Sequence, residues 1–172
     1  MNLANKLTML RIILIPIFLF FIAIKIKYGI YIATGVFIVA ALTDTLDGYV
    51  ARSRNQVTKF GKFMDPLADK LLVTAALISL VEMKQLPSWV VMIIIAREFA
   101  ITGLRAVAAS EGVIISASKW GKAKTVIQII AIIAVLMNIA YSRVLIIIAV
   151  VITIISGVDY LYKNRKILNT SE

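Results

Sequence analysis

The sequence predicts an all-α integral membrane protein, a bundle of six transmembrane helices with both termini in the cytoplasm. Of its 172 residues, 61% are hydrophobic and only 16% are charged, whereas about a quarter are charged in a typical soluble domain. The apolar residues also fall into long stretches, and the basic residues gather at one set of stretch ends. These observations disfavour the soluble globular, disordered and fibrous classes.

Six apolar stretches follow one another with short connections between them. Each is close to the ~20 residues that an α-helix needs to cross a hydrocarbon core. Most are apolar on nearly all sides, as helices buried in lipid or within a bundle are. The predicted spans are residues 7–26, 29–51, 62–83, 87–109, 121–140 and 144–162. The short connections predict a single membrane domain that covers residues 1–172.

The ends of two spans carry local signals. Lys6 and Arg11 precede the apolar run of the first span, as in a signal peptide, but no small-residue cleavage site follows. A retained helix is therefore predicted. Before the fourth span, Pro87 suits the first turn of a helix, because proline lacks the N–H that a helix interior requires.

The basic residues predict the orientation. With the N-terminus inside, fourteen of the 19 Lys and Arg residues fall on one side, four fall on the other, and Arg97 lies within a span. Positive residues concentrate on the cytoplasmic side of membrane proteins. The pattern thus predicts a multi-pass protein of the cell (inner or plasma) membrane.

Composition also restricts the chemistry. The chain has no His and no Cys, which excludes imidazole bases and thiolate nucleophiles, so carboxylates must perform any acid–base or metal chemistry. The net charge of +10 indicates an anionic partner, which could be acidic lipid headgroups, a phosphate-bearing substrate, or both. Nucleic acid is disfavoured as a partner, because the basic residues are scattered among apolar spans.

Four of the nine acids lie between positions 44 and 69. Asp44 and Asp47 are three residues apart, and Asp65 and Asp69 are four apart, so each pair projects from one face of a helix. The first pair closes the second span and the second pair opens the third. Carboxylates that crowd at a membrane boundary repel one another, and a hard divalent cation such as Mg²⁺ or Mn²⁺ would compensate them.

Small residues accompany these acids. Gly48 and Ala51 share the helix face of Asp44, which would let a bulky ligand approach the backbone. Gly61 could do the same or simply supply a turn. A purely structural interpretation remains open for any single acid, since it could face water or pair with a basic neighbour such as Arg52.

The stretch from Asp44 to Asp69 resembles the signature of the CDP-alcohol phosphatidyltransferase family. It contains Asp44-x-x-Asp47-Gly48-x-x-Ala51-Arg52, then eight residues, then Gly61-x-x-x-Asp65-x-x-x-Asp69, which fills every fixed position. The number of spans and the chain length also fit that family.

The flanking residues resemble the branch of the family whose acceptor is sn-glycerol 3-phosphate. The matching segments are Asn5-Lys6-Leu7-Thr8 with Arg11, Arg97-Glu98 through Leu104-Arg105, and Gly121-Lys122-Ala123-Lys124-Thr125 with Gln128. This resemblance implies that the acceptor hydroxyl attacks the β-phosphorus of CDP-diacylglycerol, so that CMP leaves and phosphatidylglycerophosphate forms. It also implies a homodimer.

The resemblance further implies residue roles. Asp44, Asp47 and Asp65 would ligate Mg²⁺ or Mn²⁺, while Asp69 would be the catalytic base and a further metal contact. CDP-diacylglycerol would contact a group of small, polar and basic residues. These are Asn5, Thr8, Gly48, Ala51, Arg52, Thr58 and Gly61.

Basic residues outside the signature suit the phosphate of the acceptor. Arg105, Lys122 and Lys124 lie on the predicted cytoplasmic side, although ordinary positive-inside anchoring would also place them there. Glu98 lies inside an apolar span and needs a partner. It shares a helix face with Arg105, so the two could pair or orient the acceptor site.

Two alternatives are retained. The same chemistry could use another acceptor alcohol, namely inositol phosphate, serine or a second lipid; basic residues would suit inositol phosphate but not serine. The chain could instead be a cation or proton transporter that uses the Asp cluster. However, both Asp pairs lie at one membrane edge instead of the midplane, where transporters commonly bind their substrates.

Overall fold

The computed structural model describes the backbone of residues 3–24, 26–53, 59–110, 112–113, 115 and 119–165, and within them all side chains except those of 3–4, 44–53, 59–60, 62–63 and 119. Within these ranges the chain forms six helices and no strand, which confirms the predicted all-α class. The helices are α1 (Leu3–Ala23), α2 (Gly29–Ser53), α3 (Lys59–Glu82), α4 (Ser88–Ser110), α5 (Lys119–Leu136) and α6 (Ser142–Lys163).

The helix bounds follow the predicted spans closely, and the differences have local causes. Helix α1 begins at Leu3, before the apolar run, because polar residues can extend a helix beyond its apolar part. Helix α5 ends at Leu136 instead of residue 140, since Asn138 takes a left-handed conformation with φ of 50°. Pro87 lies one residue before α4, and its carbonyl accepts a hydrogen bond from the Val90 N–H at 3.1 Å.

The chain divides into two compact units, and the first contains Met1–Gln85 with Val135–Ile139. In this unit α1 packs against both α2 and α3, and α2 packs against α3. The rings of Phe18 and Phe37, both fully buried, lie 5.9 Å apart between α1 and α2. The turn before α2 requires a glycine, because a Cβ on Gly29 would lie 2.8 Å from the carbonyl oxygen of Phe21.

The second unit contains Leu86–Ala134 with Ala140–Glu172, and in it α4 packs against α6. Buried Ile101 and Leu104 of α4 cluster with Tyr160 of α6. Gly157 of α6 allows another close approach, since a Cβ at this position would lie 3.1 Å from Cγ of Arg97. The aliphatic stem of Arg97 therefore passes directly over the α6 backbone.

Several helices carry large apolar side chains on their outer faces. Ile13 and Phe20 of α1 are more than half exposed, as are Ile147 and Val158 of α6. Among the described helices, the Asn5–Ala23 part of α1 and the whole of α6 are long and apolar enough to cross a membrane. Among the described side chains of α2, the stretch Gly29–Thr43 is a further, shorter apolar helix segment.

Candidate active site

Helices α1 and α3 bring together two residues that the sequence assigns to the site. Asp65 and Asp69 lie one turn apart on α3, and both are half-buried. Fully buried Thr8 of α1 donates a hydrogen bond from its Oγ1 to Oδ1 of Asp65 at 2.5 Å, although the two residues are 57 positions apart. The hydroxyl fixes the orientation of this carboxylate and leaves its other oxygen for further contacts.

The polar face of α1 continues on both sides of Thr8. Asn5, Thr8 and Arg11 follow one another at three-residue spacing, and all three side chains are buried. Arg11 Nε donates to the carbonyl oxygen of Ala40 in α2 at 3.3 Å. Because Ala40 lies one turn before Asp44, this contact anchors α1 to the part of α2 where the signature begins. In the sequence, Arg11 stood out only as a charge and as part of a flanking motif.

The first half of the signature lies in the last part of α2. The backbone of α2 is helical from Gly29 to Ser53, so Asp44, Asp47, Gly48 and Ala51 lie within a helix, as predicted. The side chains of these residues and of Arg52 lie outside the described part, as does the whole of Thr58. Gly61, one turn before Asp65 in α3, is buried.

The possible metal ligands that are described, the carboxylates of Asp65 and Asp69, offer oxygen atoms, which suit a hard divalent cation. The described side chains, which do not include those of Asp44 and Asp47, contain no group of three or more possible ligands at one place. The metal site therefore stays a prediction, and Asp65 and Asp69 are the two members of the predicted set whose side chains are placed.

The predicted acceptor-binding residues lie in the second unit and differ in exposure. Arg105 of α4 and Lys122 of α5 are exposed, whereas Lys124 of α5 is 3% exposed. Arg105 Nε donates to Oη of buried Tyr160 at 2.9 Å, and its guanidinium carbon lies 5.7 Å from the centre of that ring. Tyr160 thus holds Arg105 by a hydrogen bond and by a cation–π contact.

Glu98 is the centre of a polar network that joins α4, α5 and α6. Its Oε1 accepts hydrogen bonds from Nζ of Lys124 and, at 3.3 Å, from Nη1 of Arg97. Arg97 Nη2 in turn donates to Oγ of Ser156 at 2.6 Å. The hypothesis that Glu98 pairs with Arg105 is wrong: seven residues along a helix span about 10 Å, and Lys124 of the neighbouring helix reaches the carboxylate instead.

Three further residues of this unit had no assigned role in the sequence. Ser156 and Tyr160 hold Arg97 and Arg105, respectively. Gln128 of α5 is 2% exposed. The adjacent pair Ser156-Gly157 within an apolar span was the only sequence signal of a close helix contact at that point. Gln128 lies inside the predicted span 121–140 and was named only as part of a flanking motif.

Comparisons with known proteins identify the family of the chain. A family model for CDP-alcohol phosphatidyltransferase matches residues 1–155. The CDP-diacylglycerol–glycerol-3-phosphate 3-phosphatidyltransferase of Bacillus subtilis (strain 168) is 44% identical over 190 residues, which cover 99% of this chain and 98% of the relative.

Two other relatives have similar sequence identity to this chain. The Haemophilus influenzae protein (strain ATCC 51907 / DSM 11121 / KW20 / Rd) with the same name as the Bacillus relative is 41% identical over 171 residues, covering 93% of this chain and 91% of the relative. A probable phosphatidylglycerophosphate synthase of Mycobacterium tuberculosis (strain ATCC 25618 / H37Rv) is 39% identical over 171 residues, covering 92% and 79%. The chain therefore belongs to the CDP-alcohol phosphatidyltransferase family.

Proposed function

We propose that this chain is a membrane enzyme that transfers the phosphatidyl group of CDP-diacylglycerol to sn-glycerol 3-phosphate, which yields phosphatidylglycerophosphate and CMP. The observation that carries the proposal is the complete Asp signature from Asp44 to Asp69. Family membership and the names of relatives up to 44% identical support this choice of reaction and acceptor.

In this proposal the four aspartates have two roles, metal binding and proton acceptance. Asp44, Asp47 and Asp65 hold Mg²⁺ or Mn²⁺, and Asp69 accepts the proton of the attacking hydroxyl. A bound divalent cation neutralises the diphosphate oxygens and the charge on the leaving CMP. The hydrogen bond from Thr8 to Asp65 supports this division, because it orients the carboxylate without neutralising its charge.

The CDP-diacylglycerol headgroup contacts small and polar residues of the first unit. Asn5, Thr8 and Gly61 are buried there, and small residues allow a bulky ligand to approach a helix backbone. The remaining proposed contacts are Gly48, Ala51, Arg52 and Thr58.

Arg105, Lys122 and Lys124 bind the phosphate of the acceptor, which carries about two negative charges at neutral pH. The contact of Arg105 with Tyr160 supports this role, since it fixes the direction of a guanidinium whose planar shape suits phosphate. Glu98 holds the ammonium of Lys124 in one place.

The proposed setting is the cell membrane, with all six helices as spans of one domain, both termini and the active site facing the cytoplasm, and two copies forming a homodimer. The apolar outer faces of α1 and α6 support the membrane location. The surplus of basic residues at one set of span ends supports the orientation.

The acceptor is tested directly with purified protein in detergent. CDP-diacylglycerol and Mg²⁺ or Mn²⁺ are supplied with labelled sn-glycerol 3-phosphate, serine or inositol phosphate in parallel. We expect CMP release and lipid product with glycerol 3-phosphate alone. Release with serine or inositol phosphate alone would contradict the proposed acceptor, and release with none of the three would contradict the enzyme activity.

A further inference from the structure

Gln128 of α5 is a buried amide that the described part of the chain does not satisfy. The residue is 2% exposed, and neither its Oε1 nor its Nε2 has a hydrogen-bond partner among the residues that the structure describes. Burying an amide without partners costs free energy, so nearly all buried polar groups in native proteins are paired with protein, water or ligand.

The position of Gln128 on α5 points to a polar site. Gly121, Lys124 and Gln128 are spaced three and four residues apart and share one helix face. Ala131 and Ile132, which follow on that face, are fully buried and apolar. Gln128 is therefore the last polar side chain on this face of α5 before it becomes apolar.

Polar side chains close to Gln128 on α5 have contacts of their own. Thr125 donates its hydroxyl to the carbonyl oxygen of Gly121 at 3.1 Å. Lys124 contacts the carboxylate of Glu98. Glutamine in an apolar bundle commonly links neighbouring helices by a hydrogen bond, but in the described part of this chain Gln128 makes no such bond.

The chemistry of the amide limits what can satisfy it. A glutamine side chain offers one accepting oxygen and two N–H donors. A fully ionised phosphate only accepts hydrogen bonds and an ammonium only donates them, whereas a hydroxyl group does both. Of these three groups, a neutral hydroxyl is the one that can satisfy the amide oxygen and the amide N–H groups of Gln128 together.

The four-residue spacing between Lys124 and Gln128 suggests that the same ligand also carries a phosphate. Side chains four residues apart on a helix have Cβ atoms about 5–6 Å apart, which is comparable to the length of a three-carbon chain that bears a phosphate. We propose that Gln128 binds the secondary hydroxyl of sn-glycerol 3-phosphate and so selects the acceptor, an inference that rests on the function proposed above. The other hydroxyl reacts and must give its proton to a carboxylate.

The test combines a protein variant with a substrate analogue. Wild type and Gln128→Met are each assayed with sn-glycerol 3-phosphate and with 3-hydroxypropyl phosphate, which lacks the secondary hydroxyl but keeps a primary one. We expect either change alone to lower kcat/KM for the acceptor by about 10- to 100-fold. Made together, the two changes should cost no more than one of them, while the KM for CDP-diacylglycerol stays within about twofold.

Thr153→Val is the matched control, because Thr153 is also fully buried in this unit and its hydroxyl is already bonded to the Ala149 carbonyl at 2.6 Å. It should leave the ratio between the two acceptors unchanged. A second measurement is the thermal midpoint with glycerol 3-phosphate alone, which should rise for wild type and for Thr153→Val but not for Gln128→Met.

The inference would be overturned if the fold losses in kcat/KM from the variant and from the analogue multiplied when combined. This result would mean that the amide and the hydroxyl act separately. Unchanged kinetics with a higher thermal midpoint for Gln128→Met would also overturn it and would indicate that the amide holds only water. In both cases wild type would still release CMP with glycerol 3-phosphate. Failure of wild type to do so would instead contradict the proposed function, and the inference with it.

Discussion

Both units of the chain bury polar and charged groups, and the partners that the structure describes for them differ between the units. In the first unit, Thr8 contacts Asp65 through a neutral hydroxyl, and Arg11 contacts the backbone of α2. In the second unit, Glu98 contacts two cations, Lys124 and Arg97. A hydroxyl orients a carboxylate without cancelling its charge, whereas a lysine largely neutralises it. Asp65 thus remains suited to an external cation, and Glu98 is suited to hold the side chains of its own unit.

The largest expected effect comes from Asp69, one turn after Asp65 on α3. Asp69→Asn should lower kcat by at least about 10³-fold, because general-base catalysis contributes about 10²–10⁴-fold and an amide cannot accept the proton. Binding of Mn²⁺, measured by titration calorimetry, should be only partly reduced, since the other acids remain. Near-normal activity of this variant would show that Asp69 is not the base.

Glu98→Gln tests whether the ion pair of Glu98 with Lys124 stabilises the second unit. The change leaves the ammonium of Lys124 buried without its carboxylate, and breaking a buried ion pair in this way costs about 3–5 kcal/mol. Denaturant unfolding in detergent should show this loss. The double variant Glu98→Gln/Lys124→Met should regain most of it, because the more deeply buried cation is then absent and Arg97 keeps its hydrogen bond to Ser156. A double variant that is less stable than Glu98→Gln would contradict this explanation.

Thr8→Val should have an intermediate effect that appears in metal dependence. The variant keeps the shape of the side chain but loses the donor to Asp65, and hydrogen bonds to charged groups contribute about 1.5–3 kcal/mol. We expect roughly 10- to 100-fold weaker activation by Mg²⁺ or Mn²⁺, with partial recovery in Thr8→Ser, which retains the hydroxyl. Equal metal dependence in wild type and Thr8→Val would show that the hydroxyl does not orient the metal-binding carboxylate.

The smallest effect is expected at Asp159, an acid that belongs neither to the predicted Asp signature nor to the polar network of Glu98. Asp159 pairs with Lys163 one turn later on α6, and the lysine side chain is 61% exposed. Such a surface pair contributes about 0.2–0.5 kcal/mol, so Asp159→Asn should leave activity unchanged and stability nearly so. A loss comparable to that of Glu98→Gln would remove the distinction between an acid paired with a buried lysine and an acid paired with an exposed one.

The sequence predicted the positions of the helices well because each apolar stretch is long and separated by polar residues. It was less accurate where local conformation ended a helix, as at Asn138, whose left-handed backbone stops α5 before its apolar run ends. The helical location of both Asp pairs was also predictable, since three- and four-residue spacing needs no knowledge of tertiary structure.

Side-chain partners were less predictable than positions. The contact between Thr8 and Asp65 joins residues 57 positions apart, and spacing along the chain does not indicate it. Glu98 showed only that it needed a partner, and the shared helix face wrongly suggested Arg105 when Lys124 of another helix was available. Burial separated Lys124 from Lys122, although in the sequence both were simply basic residues of one motif.

The tight turn at Gly29 has a consequence for how the chain folds. It joins α1 to α2 within a few residues, and these helices pack along each other through contacts such as Phe18 with Phe37. Contacts that are close in sequence close small loops and form quickly. We expect the α1–α2 hairpin to assemble during synthesis, before α3 emerges, so that Thr8 and Arg11 are already in place when the second Asp pair arrives.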